Sequence, residues 1–306
     1  MMSPFGNVRF TGYREAMITV AVGLVSALVY GAADFLGGTA ARRISPVRVT
    51  AVAAVSGLVV LLLALPVVGG VWSTEAVLLG ALSGVSGAVA IALLYACLAV
   101  GPMSILSPLT AVVSAVVPLA FGLLGGERLG GIGYVALGVA LVAVVLVGFV
   151  PERGAVRPSL RGLAMAVGSG VAIGVFIVIV DRTPDDSGLV PLVLNRTVNG
   201  AIMFAAVGVL ALAARRRAGR GAAAATRAWR PGLTLAVACG VLDALANAGL
   251  LLGLRLGELS IMAVLTALYP AGTIILAAAV LKERIAPVQA VGLVLAVAAG
   301  AMLALA

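Results

Sequence analysis

The chain has 306 residues, 63% of them hydrophobic and 10% charged, and its mean hydropathy is +1.24. A soluble domain is nearer half apolar and a quarter charged, so this composition excludes a water-soluble globule and leaves an integral membrane protein. The net charge of +9 does not mark a nucleic-acid partner, because the basic residues sit between apolar runs, where they set membrane orientation.

Ten apolar runs are read along the chain: 17–36, 47–69, 76–99, 103–124, 130–150, 162–180, 189–213, 232–254, 259–281 and 286–305. Each is long enough to cross about 30 Å of hydrocarbon as a helix. Their length argues against barrel strands, which run about ten residues with alternating polarity. The expected fold is an all-α integral membrane protein of about ten transmembrane helices. The first run, Ile18 to Phe35, continues past signal-peptide length and reads as a retained span. Arg42-Arg43, Gly69-Gly70, Gly125-Gly126-Glu127-Arg128 and Pro151-Glu152-Arg153 separate the first runs. Asp181 to Ser187, Arg255 to Glu258 and Lys282-Glu283-Arg284 separate later ones. The Ala- and Arg-rich stretch from Arg215 to Pro231 reads as a loop facing solvent or headgroups. Pro118 and Pro270 are expected to kink their helices.

The two halves repeat. Displaced by 156 residues, Gly101 to Arg128 aligns without a gap on Gly257 to Arg284, and nine of 28 positions are identical. Leu109-Thr110-Ala111 meets Leu265-Thr266-Ala267, and Glu127-Arg128 meets Glu283-Arg284. Apolar composition would match some Ala, Leu and Val, but not Thr with Thr or Glu-Arg with Glu-Arg. A weaker echo joins Ala27 and Gly31 to Gly170 and Gly174, small residues four apart in each half. The expected units are 1–158 and 159–306, five helices each. Five is odd, so the second unit enters the membrane inverted. The charges agree. Arg42, Arg43 and Arg48 follow span 1, whereas Asp181, Arg182, Asp185 and Asp186 follow span 6. No Lys or Arg follows span 2, whereas six Arg from Arg215 to Arg230 follow span 7. Of the 20 Lys+Arg, 14 lie after odd-numbered spans, so the positive-inside rule places both termini outside.

A charge within a span costs several kcal/mol unless paired or hydrated, which singles out Asp34, Arg196 and Asp243. Ser26, Tyr30 and Asp34 share a helix face. That stripe reads as the lining of a pathway, with Asp34 a proton or substrate-amine site, or as an interfacial carboxylate paired with Arg42 or Arg43. Asp243 has Asn247 one turn along; the two read as a cation, proton or polar-substrate site, or Asp243 as a structural partner of Arg196. Arg196, beside Asn195 and ahead of Asn199, reads as holding a substrate carboxylate, neutralising an aspartate, or snorkelling to the headgroups. Ser107, Thr110 and Ser114 share one face of span 4, and Thr266 and Tyr269 one face of span 9, with Thr110 and Thr266 expected to oppose each other across a midplane cavity. The competing reading is that Ser and Thr serve as packing contacts. Glu127-Arg128 and Glu283-Arg284 read as structural anchors. Cys97 and Cys239 lie in apolar runs as inert thiols, and there is no His. No metal site, cofactor or His-based triad is expected.

This arrangement resembles the drug/metabolite transporter superfamily, specifically its EamA-type members. The resemblance covers nearly the whole chain and is best over Gly101 to Val147 and Gly257 to Ala299. The stretch from Tyr30 through Asp34 to Gly38, with Arg42-Arg43 beyond it, is similar to a bacterial subgroup, as is Leu268-Tyr269-Pro270. Pro191 and Arg196 resemble the Pro and Arg that open the second helix of a repeat; the first half has Ala51 at that offset. The resemblance implies a multi-pass transporter in a bacterial plasma membrane. Two-repeat members often have cytoplasmic termini, opposite to the charge count. The expected function is secondary transport of small polar or amphipathic metabolites by alternating access, not enzymatic catalysis. Its partners are a small-molecule substrate and the bilayer, in a monomer or homodimer. Proton coupling through an aspartate and proton-free exchange both stay open. No Walker-type phosphate loop is present. The alternatives are an intramembrane enzyme acting on lipid, which lacks the His, paired aspartates or Ser/Lys dyad it would use, and a non-transporting subunit.

Overall fold

The computed structural model describes residues 4–100, 103–148, 159–218, 230–282 and 285–305. Among them there is no strand. The helices are α1 (Pro4–Ala41), α2 (Pro46–Val68), α3 (Thr74–Val100), α4 (Met103–Leu124), α5 (Gly131–Gly148), α6 (Leu160–Asp181), α7 (Val190–Ala218), α8 (Arg230–Leu256), α9 (Leu259–Thr266), α10 (Tyr269–Leu281) and α11 (Pro287–Ala304). Nine stretches of the described residues are long and apolar enough to cross a membrane, and Leu109–Leu124 of α4 is a shorter apolar one. The protein is therefore a multi-pass helical membrane protein.

Two expected elements differ. The run 259–281 is one span but two helices. Pro270 has no N–H to give the carbonyl a turn back. The chain closes α9 with Ala267 N–H donating to Ala263 O and Leu268 N–H to Leu265 O, then restarts at Tyr269. Pro118 produces no such break, and α4 runs through it without interruption. The second difference is Arg215–Ala218, expected as loop but forming the last turn of α7. Ala and Arg are among the best helix formers. Residues 219–229, with Pro151 to Arg153 and Glu283-Arg284, lie outside the described residues.

The contacts are symmetric under exchange of the halves. Helix α1 packs along α8, and α3 along α6; α3 meets α7, and α2 meets α8. Helix α4 meets α6, as α9 and α10 meet α1. Helices α2 and α7, and α5 and α11, pair across the centre. Small residues set the closest crossings. A Cβ on Gly31 would stand 2.4 Å from Tyr269 O in α10, and one on Gly174 would stand 2.6 Å from the Cβ of Val117 in α4. Thr273 Oγ1 donates across the first crossing to Gly31 O at 3.1 Å. One apolar cluster joins α1, α4, α5, α9 and α11, around Leu137, Val144, Val264, Leu265 and Leu303. Another joins α2, α6, α7, α8 and α9, around Leu61, Val180, Leu192, Leu250 and Met262. Between them the packing leaves a space.

Candidate functional site

Polar side chains anchor the helices around that space. Asn195 in α7 donates through Nδ2 to Ser83 Oγ in α3 at 2.9 Å. Ser86 and Ser169 tie α3 to α6, donating to Ala172 O at 2.7 Å and Ala90 O at 2.9 Å. These bonds satisfy hydroxyls that would be costly in an apolar bundle, and they hold the facing polar residues in place.

The space is a cavity of about 230 Å³, lined from α1, α3, α4, α6, α7, α8, α9 and α10. Its polar lining is Tyr30, Asp34, Ser114, Asn195, Arg196, Asn199, Asp243, Asn247, Thr266 and Tyr269, with Gly87 completing one wall. Ile91, Leu94, Ile173, Phe176, Ile177 and Leu250 supply the apolar wall. Seven of the eight residues singled out from the sequence meet here: Tyr30, Asp34, Arg196, Asp243, Asn247, Thr266 and Tyr269. Thr110 does not. It is fully buried, and its Oγ1 lies 3.0 Å from Leu106 O and 3.2 Å from Ala166 O, at the α4–α6 crossing. Ser114, one turn further along α4, reaches the cavity instead, so Thr266 does not face Thr110 across it.

Arg196 and Asp243 form an ion pair between α7 and α8. Their side chains are 10% and 26% exposed, so the guanidinium is turned inward and does not snorkel. Asn247 Nδ2 donates to Asp243 O at 2.7 Å and lies 3.3 Å from Asp243 Oδ1. Asp34 is exposed where it lines the cavity, and among the described residues it has no cationic partner, neither Arg42 nor Arg43. Two buried polar atoms of the lining, Asn199 Oδ1 and Thr266 Oγ1, have no hydrogen-bond partner. Asn195, Asn199 and Ser114 carry no charge, and their share in the site was legible only as helical spacing from Arg196 and Thr110. Gly87, the counterpart of Asp243 in the first repeat, gives no side-chain signal at all. A Cβ there would come within 3.3 Å of Asn199 Nδ2.

One end of the bundle is closed by direct contacts. Val71 N–H donates to Asp186 O at 2.9 Å and Leu189 N–H to Gly69 O at 3.3 Å, joining the α2–α3 and α6–α7 connections. Only glycine fits that join: Gly188 has φ +48°, and a Cβ on it would stand 2.2 Å from Gly69 O. Arg255 at the end of α8 bonds Thr183 Oγ1 and Pro184 O and pairs with Asp185 at 3.3 Å. Glu127 in the α4–α5 connection accepts from Leu259 N–H at 2.8 Å and Ser260 N–H at 3.1 Å. It thereby caps α9, whose first N–H groups have no partner within the helix. Glu127 is thus an anchor between the halves. Partial burial pushes the carboxyl of Glu258 up from its ordinary value, and the neighbouring Glu127 carboxylate adds repulsion and a shared hydrogen bond.

Among the described residues no group of three or more His, Cys, Asp or Glu is placed to hold a metal ion. No curated protein sequence matches the chain. One solved structure, described only as the crystal structure of a protein, is similar over 93% of this chain and 95% of its own, with a TM-score of 0.68 and 18% identity. That likeness concerns the fold alone. The model of the EamA-like transporter family matches residues 160–305, from α6 through α11. The second half of the chain is thus similar to the EamA-like transporter family, and the first half repeats its Thr, Ser-Ile and Glu-Arg positions.

Proposed function

We propose that the protein is a secondary transporter of small polar or amphipathic metabolites, working by alternating access around the central cavity. The observation that carries this reading is the cavity itself, which draws polar and charged side chains from both halves of the chain. Charged groups in a membrane interior are costly and characteristically mark a substrate or ion path. The contact pattern supports two inverted five-helix units, 1–158 and 159–306, rocking against each other, with the substrate held between them. In that reading the contacts among Gly69, Asp186, Gly188, Arg255 and Glu127 close one gate. The protein sits in a bacterial plasma membrane, with both termini outside by its Lys and Arg distribution.

The test is flux. Purified protein in liposomes is screened for counterflow of amino acids, amines and sugars, with and without a pH gradient, beside Asp34→Asn and Asp243→Asn. Uptake driven by the gradient and lost in one aspartate variant supports proton coupling. Uptake without pH dependence supports facilitated exchange. Absence of flux across the panel in folded protein sinks the transporter reading and returns attention to an intramembrane enzyme or a non-transporting subunit.

A further inference from the structure

Resting on the transport reading of this cavity, we infer that its substrate is a small monovalent organic cation, an amine on a short apolar body. The first support is charge balance. The lining holds two carboxylates, Asp34 and Asp243, and one guanidinium, Arg196. Arg196 and Asp243 neutralise each other. Asp34 is left as the unbalanced charge, with no cationic partner among the described residues. A lone carboxylate inside a membrane costs several kcal/mol unless something compensates it, and a bound cation does so.

The second support is independent of charge. Asn199 is 3% exposed and Thr266 7%, and both line the cavity. Asn199 Oδ1 and Thr266 Oγ1 have no hydrogen-bond partner. An amide oxygen only accepts, a hydroxyl can accept, and an ammonium has three donors and no acceptor. Asp34, Asn199 and Thr266 therefore each suit a hydrogen-bond donor. The rest of the wall, Ile91, Leu94, Ile173, Phe176 and Leu250, suits a hydrocarbon body. At about 230 Å³ the cavity is smaller than the few hundred Å³ typical of sites for drug-sized ligands.

Other classes fit less well. An anion would face the unbalanced Asp34 and would have to displace Asp243 from Arg196. A neutral polyol would leave Asp34 uncompensated against a wall largely of hydrocarbon. A proton on Asp34 would cancel its charge but leave Asn199 Oδ1 unpartnered.

The experiment measures binding by calorimetry to detergent-purified protein at neutral pH. Four ligands share one branched carbon skeleton: isoamylamine, isoamyl alcohol, isovalerate and leucine. The amine is expected to bind at least tenfold tighter than the other three. Asp34→Asn should weaken it by about ten- to a hundredfold, the range of a charge-assisted hydrogen bond, while Asp34→Glu keeps most of the affinity. Asn199→Ala should weaken it several-fold. An unchanged melting temperature in Asp34→Asn separates lost binding from lost folding. Tighter binding of isovalerate or leucine, no binding of any of the four, or an amine affinity indifferent to Asp34→Asn overturns the inference. Counterflow of the same ligands distinguishes the two levels. Amine binding without flux keeps the cation site and sinks the transport reading. Flux of leucine or isovalerate without amine binding does the reverse.

Discussion

Breaking the Arg196–Asp243 pair should destabilise the bundle, and the two single substitutions should not cost the same. The side chains are 10% and 26% exposed. Removing one partner of a fully buried pair costs about 3–5 kcal/mol, because the survivor is left uncompensated. The cavity gives the survivor some access to water, which moves the expectation to the lower part of that range. Asp243→Asn strands a guanidinium that cannot lose its proton, and should cost about 3 kcal/mol. Arg196→Gln strands a carboxylate that can take one up, and should cost about 2 kcal/mol. The double variant, with amide facing amide, should be no less stable than the worse single, a coupling of about 2 kcal/mol. Reversible unfolding of purified protein in mixed micelles gives the four free energies of the cycle. Additivity within about 0.5 kcal/mol would refute the ion pair as an energetic link between α7 and α8.

Glu127→Ala should remove the cap on α9 and lower stability by about 1–2 kcal/mol, with Glu127→Gln nearer the smaller value because one acceptor remains; equal stability of all three would count against the cap. Glu258 has its folded-state pKa raised by burial and by Glu127, so the fold holds its proton more tightly than the unfolded chain does. Its contribution is therefore most favourable at acid pH and is lost as pH climbs from the ordinary carboxylate range through the raised value. The melting temperature should fall over that window, and Glu258→Gln should flatten the fall; an unaltered slope would refute the assignment. Gly188→Ala should strain a positive-φ position and push against Gly69 O, costing at least about 1 kcal/mol. Cysteine pairs placed across the α2–α3 and α6–α7 connections should then crosslink more slowly; unchanged crosslinking would show that the join yields without opening.

Much of the molecule was readable before any coordinates. The helices start and stop near the expected breaks because a bilayer demands runs of about 20 apolar residues, and only turn formers, charges and glycine pairs can interrupt them. The repeat was readable because Thr, Ser-Ile and Glu-Arg recur at a fixed offset against an apolar background. Most of the site was readable for a related reason. A charge or an amide is so costly in lipid that Asp34, Arg196, Asp243 and Asn247 stand out one by one.

What composition and periodicity determined was the class of protein, about ten apolar runs, an internal repeat and a short roster of polar residues. Only the tertiary structure decided which of those residues meet. Thr110 and Ser114 are one turn apart on the same face of α4, yet one bonds α6 and the other lines the cavity. Arg196 and Asp243 are far apart in sequence, and their pairing depends on how α7 and α8 are rotated. Pro270 ends a helix while Pro118 does not. Helical spacing tells which side chains share a face, but which face meets a neighbour, a cavity or lipid is set by close packing against every other helix. That rotation is a property of the whole bundle, so no single span carries it.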